Sequence, residues 1–190
     1  MKLILWRPVK PYEVNQPFGN PDPKYTALGM VGHNGIDFQA IHGQPVYASH
    51  DGVCYPEIDD RGGNGVVIRT LQTFDYNGQQ VYFKTIYWHL INANAVVKTG
   101  QVVKTGDLVG YADSTGLSTG DHLHFGLKPQ AYNENDFSWY NPEQTNGFLG
   151  AVDPAPYLID KFAQDYPLWA KLLELYKQLL ALLQRSASKT

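Results

Sequence analysis

The stretch FDYNGQQVYFKTIYWHL, residues 74–90, carries the clearest fold signal in this chain of 190 residues. Asn77-Gly78 is a strong hairpin signal, because both central positions of a type I′ turn need a positive φ. Strand-forming Phe, Tyr, Val, Thr and Ile lie on both sides of the turn, and Tyr82–Leu90 is predicted as a long aromatic strand. We therefore expect an antiparallel hairpin inside a β-rich fold.

Short strands are predicted on both sides of this hairpin. They fall in apolar or alternating runs between turn residues: Val14–Asn20, Gln44–Ser49, Val66–Thr70, Val96–Tyr111 and His122–Leu127. Gly100 and Gly106 supply turns within the Val-rich run, and Pro129 is expected to stop the last strand. The predicted fold class is mainly β, with antiparallel sheets and a loop-rich N-terminal arm over residues 1–32.

The composition changes twice after this body and predicts the domain organisation. One domain spans 1–157, with a motif-bearing core at about 17–128 and a long surface loop at 130–157. A Leu-rich tail follows at 158–190 and is predicted as a C-terminal amphipathic α-helix, because its leucines recur at i, i+3 and i+4. We expect this helix to pack on the domain, to self-associate, or to dock on a partner or membrane.

Charge and cysteine content exclude several classes of protein. The net charge of −3 argues against a nucleic-acid-binding protein, which would carry a basic surface. Cys54 is the only cysteine, so intrachain disulfides and thiolate zinc sites are excluded. No apolar run is long enough to predict a transmembrane segment. The N-terminal sequence lacks a signal-peptide pattern, which predicts synthesis in the cytoplasm.

Histidine spacing indicates possible metal chemistry. His122 and His124 lie two apart in a predicted strand and so share a face, as His33 and Asp37 do four apart in an extended segment. Two histidines and one carboxylate can hold a catalytic Zn²⁺, which keeps a fourth position for water. Either pair by itself is more typical of structural hydrogen bonding. Spacing alone leaves a metal site and a structural role both open.

Several ordered motifs then resemble the lysostaphin-type (LytM-like) zinc endopeptidases, which cut bacterial peptidoglycan. The matching blocks, in chain order, are GHNGID (32–37), GQPVYA (43–48), GGNGVVI (62–68), YWHL (87–90), VKTGQVVKTGDLVG (97–110) and STGLSTGDHLHF (114–125). The resemblance covers about Pro17 to Leu127. It implies that the predicted sheets form a substrate groove.

The resemblance also implies the roles of individual residues. His33, Asp37 and His124 would be the ligands of Zn²⁺. His89 and His122 would be the two further active-site histidines, which assist attack of the zinc-activated water on the peptide carbonyl. Which of the two is the general base is left open. Gly126 departs from the family pattern, where many relatives have Glu.

The expected function is hydrolysis of stem or cross-bridge peptides in peptidoglycan, either at Gly-Gly bonds or at D-Ala cross-links. Three segments are expected to shape the groove: loops at 54–64, 71–84 and 131–150. A phage-type endolysin or virion-associated lysin acting on the host wall or periplasm is the expected context. The alternatives are an inactive wall-binding or regulatory relative and, on Val97–Gly110 alone, a biotin or lipoate carrier. His42 and His50 are expected at the surface or in turns.

Overall fold

The computed structural model describes residues 2–10, 13–92, 94–159 and 175. One compact unit spans Met1–Leu158, and a second spans Ile159–Thr190. The predicted C-terminal helix and its packing therefore lie outside the described residues, apart from Leu175. Leu158–Ile159 form a strand, so the tail does not begin as a helix at 158 as predicted. None of the helices in the described ranges has the length and hydropathy needed to span a membrane.

The described elements are mostly short strands. In chain order they are β1 (Leu5–Trp6), β2 (Val14–Gln16), α1 (Pro23–Ala27), β3 (Ile36–Gln39), β4 (Pro45–Tyr47), β5 (Gly52–Asp59), β6 (Gly63–Thr70), β7 (Phe74–Tyr76), β8 (Gln79–Leu90), β9 (Val102–Val103), β10 (Leu108–Tyr111), β11 (His122–Asn133), β12 (Ser138–Tyr140), a 3₁₀ turn (Ala155–Tyr157) and β13 (Leu158–Ile159).

The main sheet has the order β2-β3-β11-β8-β6-β5-β9, with β12 added to β11 and β7 added to β8. Its strand pairs are antiparallel. Strands β4 and β10 form a separate antiparallel pair. The predicted class, mainly β with antiparallel sheets, is confirmed.

The two faces of the main sheet have different environments, because side chains alternate along each strand. One face buries the core, whose largest members include Phe38, Ile68, Phe83, Tyr87, Leu123, Phe125 and Leu127. The other face presents His124, Trp88, Lys84 and Lys128 to a groove. The two longest strands, β8 and β11, run side by side and form the floor of this groove.

The Asn77-Gly78 turn is confirmed. Both residues have positive φ, 53° and 80°, and they join β7 to β8. This is the left-handed backbone that a type I′ hairpin turn requires.

Pro129 does not stop the last predicted strand. β11 continues to Asn133, and Pro129 lies opposite Phe83 on β8. The Phe83 N–H instead points to Thr70 Oγ1 on β6, so this pair exchanges no ladder hydrogen bond and the missing proline N–H is tolerated. The predicted loop 130–157 therefore begins as strand and contains β12.

Three other local features differ from the expectations of the sequence analysis. Residues 54–59 of the expected groove loop belong to strand β5, which pairs along its length with β6. His50 is buried, at 6% exposure, and contacts Thr85 Oγ1 through Nε2 at 2.9 Å. Helix α1 was not predicted, although Asp22 caps it and Pro23 opens it, which is a recognised start signal. His42 is exposed, as expected.

Candidate metal and active site

His33, Asp37 and His124 form a tight cluster at one end of the groove. Asp37 on β3 lies directly opposite His124 on β11, and His33 precedes β3. His33 Nε2 lies 3.0 Å from His124 Nδ1 and 3.1 Å from Asp37 Oδ1. His124 Nδ1 lies 3.0 Å from the same carboxylate oxygen. Three electron-pair donors thus meet at one point.

Outer contacts orient two members of this cluster. His33 Nδ1 faces the Pro17 carbonyl oxygen at 3.2 Å. A carbonyl only accepts, so Nδ1 carries the hydrogen and the Nε2 lone pair faces the cluster. The ring of Tyr25 on α1 stacks against His33 at 5.5 Å between centroids. Burial by itself would raise the pKa of Asp37, but the adjoining His124 and His33 side chains hold it well below its usual range. Asp37 is therefore an anion.

The donor set fits a zinc ion. Tetrahedral ligands at about 2.0–2.2 Å from zinc stand about 3.3–3.6 Å apart, close to the separations in the cluster. With the His33 hydrogen on Nδ1, no proton separates the Nε2 lone pair from Asp37 Oδ1 at 3.1 Å. A bound cation would remove this repulsion. Two imidazoles and one carboxylate are also a known ligand set for catalytic zinc.

His89 and His122 lie beside this cluster. Their ring centroids are 4.5 Å apart, and His89 is 6.1 Å from the His124 ring. His89 Nδ1 faces the Thr115 carbonyl oxygen at 2.6 Å, and His122 Nδ1 faces the Gly120 carbonyl oxygen at 2.8 Å. In its neutral form each ring therefore carries its hydrogen on Nδ1 and has its electron pair on Nε2. His122 Nε2 lies 3.6 Å from Asp37 Oδ2.

The backbone at His89 is strained. Its φ is +63°, in the left-handed region that non-glycine residues rarely occupy. The conformation is held by hydrogen bonds from the His89 N–H to the Gly62 carbonyl and from the Asp113 N–H to the His89 carbonyl. Burial lowers the pKa of His89 to about 4, so its ring is neutral at physiological pH.

Glycines allow close approach around the site. A Cβ on Gly35 would lie 2.6 Å from His124 Cε1, and one on Gly65 would lie 2.0 Å from Trp88 Cε3. Gly63 and Gly116 bring their loops into contact in the same way. The glycine-rich blocks of the sequence thus allow the imidazoles and the Trp88 ring to lie against the backbone.

The groove has a volume of about 970 Å³, and all five predicted site residues line it. Its floor continues from His124 along β8 and β11 to Lys84 and Lys128. Residues of helix α1 and of the 117–121 turn also line the groove. The structure therefore brings together every residue that the resemblance selected, while the division of roles among them stays a prediction.

Sequence reasoning missed the partners that orient these side chains. They are Pro17, Tyr25, Thr115 and Gly120; three act through backbone carbonyls and Tyr25 through ring stacking, which no sequence pattern reveals. A second group, His42, Asp113 and Asp121, could also bring three donor atoms together. It is largely exposed, and its closest contact is the 3.0 Å pair between His42 Nδ1 and Asp113 Oδ1.

Comparison with known proteins agrees with this geometry. Residues 31–136 match the model of peptidase family M23. Peptidoglycan DD-endopeptidase ShyB of Vibrio cholerae is 40% identical over 108 residues, which cover 56% of this chain and 23% of that protein. The chain spans about a quarter of the length of the curated relatives it matches.

Two solved structures share the fold. A zinc-containing peptidase from Vibrio cholerae superposes with a TM-score of 0.55 and 27% identity, covering 80% of this chain and 41% of that one. The catalytic domain of lysostaphin from Staphylococcus simulans gives 0.53 and 28% identity, covering 77% and 91%. Because the family match covers more than half of the chain and includes the whole histidine and aspartate site, this protein belongs to peptidase family M23.

Proposed function

We propose that this protein is a zinc-dependent endopeptidase that hydrolyses peptide cross-links in bacterial peptidoglycan. The observation that carries the proposal is the meeting of His33 Nε2, Asp37 Oδ1 and His124 Nδ1 within 3.1 Å of one another, beside two further histidines in one groove. These three residues would hold the ion. Zinc would supply Lewis acidity, polarising the peptide carbonyl and making water acidic enough to attack at neutral pH.

The chain's own residues then handle the protons. In their neutral forms His89 and His122 present Nε2 lone pairs to the groove, because backbone carbonyls fix the hydrogens on Nδ1. A neutral imidazole at this place can accept a proton from the attacking water and return it to the leaving amine. Positioned groups of this kind contribute roughly 10²–10⁴-fold in rate. Asp37 supplies the negative charge that favours a cation between the three ligands.

The proposed scissile bond is a direct cross-link between D-amino-acid centres. The support is the 40% identity to proteins named DD-endopeptidases, against 28% to lysostaphin. The protein would act on the cell wall. Its assignment as a phage-type lysin has no further support in the structure and stays a prediction.

Digestion of purified sacculi tests the proposal. One preparation has direct cross-links and the other has glycine bridges, each treated with and without a zinc chelator. We expect chelator-sensitive release of D-amino-acid-linked fragments, identified by mass spectrometry, from the first preparation only. The His42→Ala variant is the control for the loss of a histidine as such, because His42 is exposed and lies outside the cluster. It should behave as wild type.

Release from the glycine-bridged preparation alone would refute the proposed bond. Stoichiometric zinc binding with no cleavage of either preparation would refute the enzymatic assignment and favour the alternative of an inactive wall-binding relative.

A further inference from the structure

The groove floor carries two lysines in an unfavourable arrangement. Lys84 on β8 and Lys128 on β11 lie directly opposite each other in the antiparallel ladder. Both side chains line the groove. Like charges at directly opposed positions destabilise a sheet, so this pair needs a compensating anion.

The described residues supply only part of that compensation. Lys84 Nζ lies 3.8 Å from Glu57 Oε1, a contact at the limit of an ion pair. Asp59, the next acidic residue on β5, already accepts hydrogen bonds from the Arg61 and Gly62 N–H groups. In the described part of the chain, no acceptor lies within hydrogen-bond distance of the Lys128 ammonium.

Lys128 is also partly removed from water. Its side chain is half-buried on the groove floor. Burial, followed by the charge of Lys84, lowers the pKa of the Lys128 ammonium below its usual value. An anion from a ligand would satisfy its hydrogen-bond donors and offset both effects.

The position relative to the metal cluster indicates the kind of ligand. Lys128 lies four residues beyond His124 on the same strand and faces the same groove. At about 3.3 Å per residue this separation is about 13 Å, or about four residues of an extended peptide. The lysine pair thus stands where a peptide held at the metal cluster would continue along the floor.

We propose that Lys84 and Lys128 form a subsite for a carboxylate of the peptide substrate, about four residues from the bond that is cut. This inference rests on the proposed function and deepens it, since it assigns the groove a preference for anionic peptides. The Lys128 ammonium would donate directly to the carboxylate, and Lys84, released from its weak contact with Glu57, would complete the pair.

A substrate pair tests the subsite. Soluble cross-linked peptides from peptidoglycan are compared with the same peptides after conversion of their carboxylates to primary amides. We expect wild type to cleave the carboxylate form faster. Lys128→Met should lower kcat/KM on that form about ten- to a hundred-fold, the range for loss of a hydrogen bond to a charged group, and leave the amide form unchanged. Lys84→Met should act in the same direction.

Lys98→Met is the matched control, because Lys98 is an exposed loop lysine outside the groove, and it should change neither rate. Methionine keeps much of the lysine stem and removes a repulsion, so thermal unfolding of Lys128→Met should occur no lower than wild type. An equal loss on both substrates, or no loss on either, would overturn the subsite.

Binding separates this inference from the proposed function. Calorimetry with the two peptide forms is performed on His89→Ala and on His89→Ala combined with Lys128→Met. If the second variant binds only the carboxylate form more weakly, the subsite is supported even when wild type cleaves neither peptide. The absence of cleavage would contradict only the proposed function. Equal binding of the carboxylate form by the two variants overturns the subsite.

Discussion

Replacing Gly35 by alanine should displace His124, a proposed zinc ligand, without removing any polar group. The new Cβ would lie 2.6 Å from His124 Cε1, 2.7 Å from Nε2 and 2.7 Å from the Phe125 carbonyl oxygen. Ordinary contacts between such atoms are about 3.5 Å or longer, so the imidazole must retreat by about 1 Å. The backbone at Phe125 cannot yield easily, because β11 is paired on both sides there.

A displacement of this size is large for a metal site. Ligand distances must hold to about 0.2 Å, and loss of an orienting contact by itself costs about 10–100-fold in metal affinity. We therefore expect Gly35→Ala to bind zinc at least about tenfold more weakly in competition with a chromogenic chelator. Its cleavage of sacculi should fall about a hundredfold, the typical cost of a 1 Å misplacement.

The control lies on the same strand as the ligand. A Cβ on Gly126 would lie 3.4 Å from Ile86 Cβ, an ordinary contact, so Gly126→Ala should match wild type in zinc affinity and in activity. Zinc affinity of Gly35→Ala within twofold of wild type, with an unchanged melting temperature, would refute the assignment of His124 as a ligand held against Gly35.

Three further predictions concern single side chains. His124→Ala should lose both zinc and activity, whereas His89→Ala should keep zinc and fold but lose turnover at least about a hundredfold; full activity of His89→Ala would show that its assigned role is wrong. Burial lowers the pKa of His50, so as the pH falls the unfolded chain protonates this imidazole before the folded chain does. The free energy of unfolding should therefore be retained above about pH 6.5 and decline as the pH falls below it. In urea titrations at several pH values, the free energy of unfolding of His50→Gln should fall less steeply with decreasing pH, by a slope equivalent to up to one bound proton. An unchanged slope would contradict this account. Tyr87→Phe removes the oxygen that accepts hydrogen bonds from the Ser49 N–H and from the Thr85 hydroxyl. It should lower the free energy of unfolding by about 1–3 kcal/mol. An unchanged free energy of unfolding would argue against a structural role for that hydroxyl.

Local sequence patterns predicted those features that depend on near neighbours. The Asn77-Gly78 turn is an example, because its backbone conformation is a property of the two residues themselves. Conversely, Pro129 was misjudged because its effect depends on where the N–H of Phe83 points, and this is set by the partner strand β6. His50 was expected at the surface or in a turn, and its burial was missed because nothing nearby in the sequence shows that Thr85, 35 residues later, is its buried partner.

The sequence by itself determined the class of fold and the family resemblance, and it selected the five candidate site residues, because the ordered motifs indicate which residue types occupy the site. Only the tertiary structure decided which atoms meet. His33 and His124 are 91 residues apart, and the ring nitrogens that face each other depend on the pairing of β3 with β11 and on the Pro17 carbonyl. The carbonyls of Thr115 and Gly120 orient the rings of His89 and His122 in the same way. The opposition of Lys84 and Lys128 has the same origin, since strand register is a long-range property in which a shift of one residue would move every side chain to the other face.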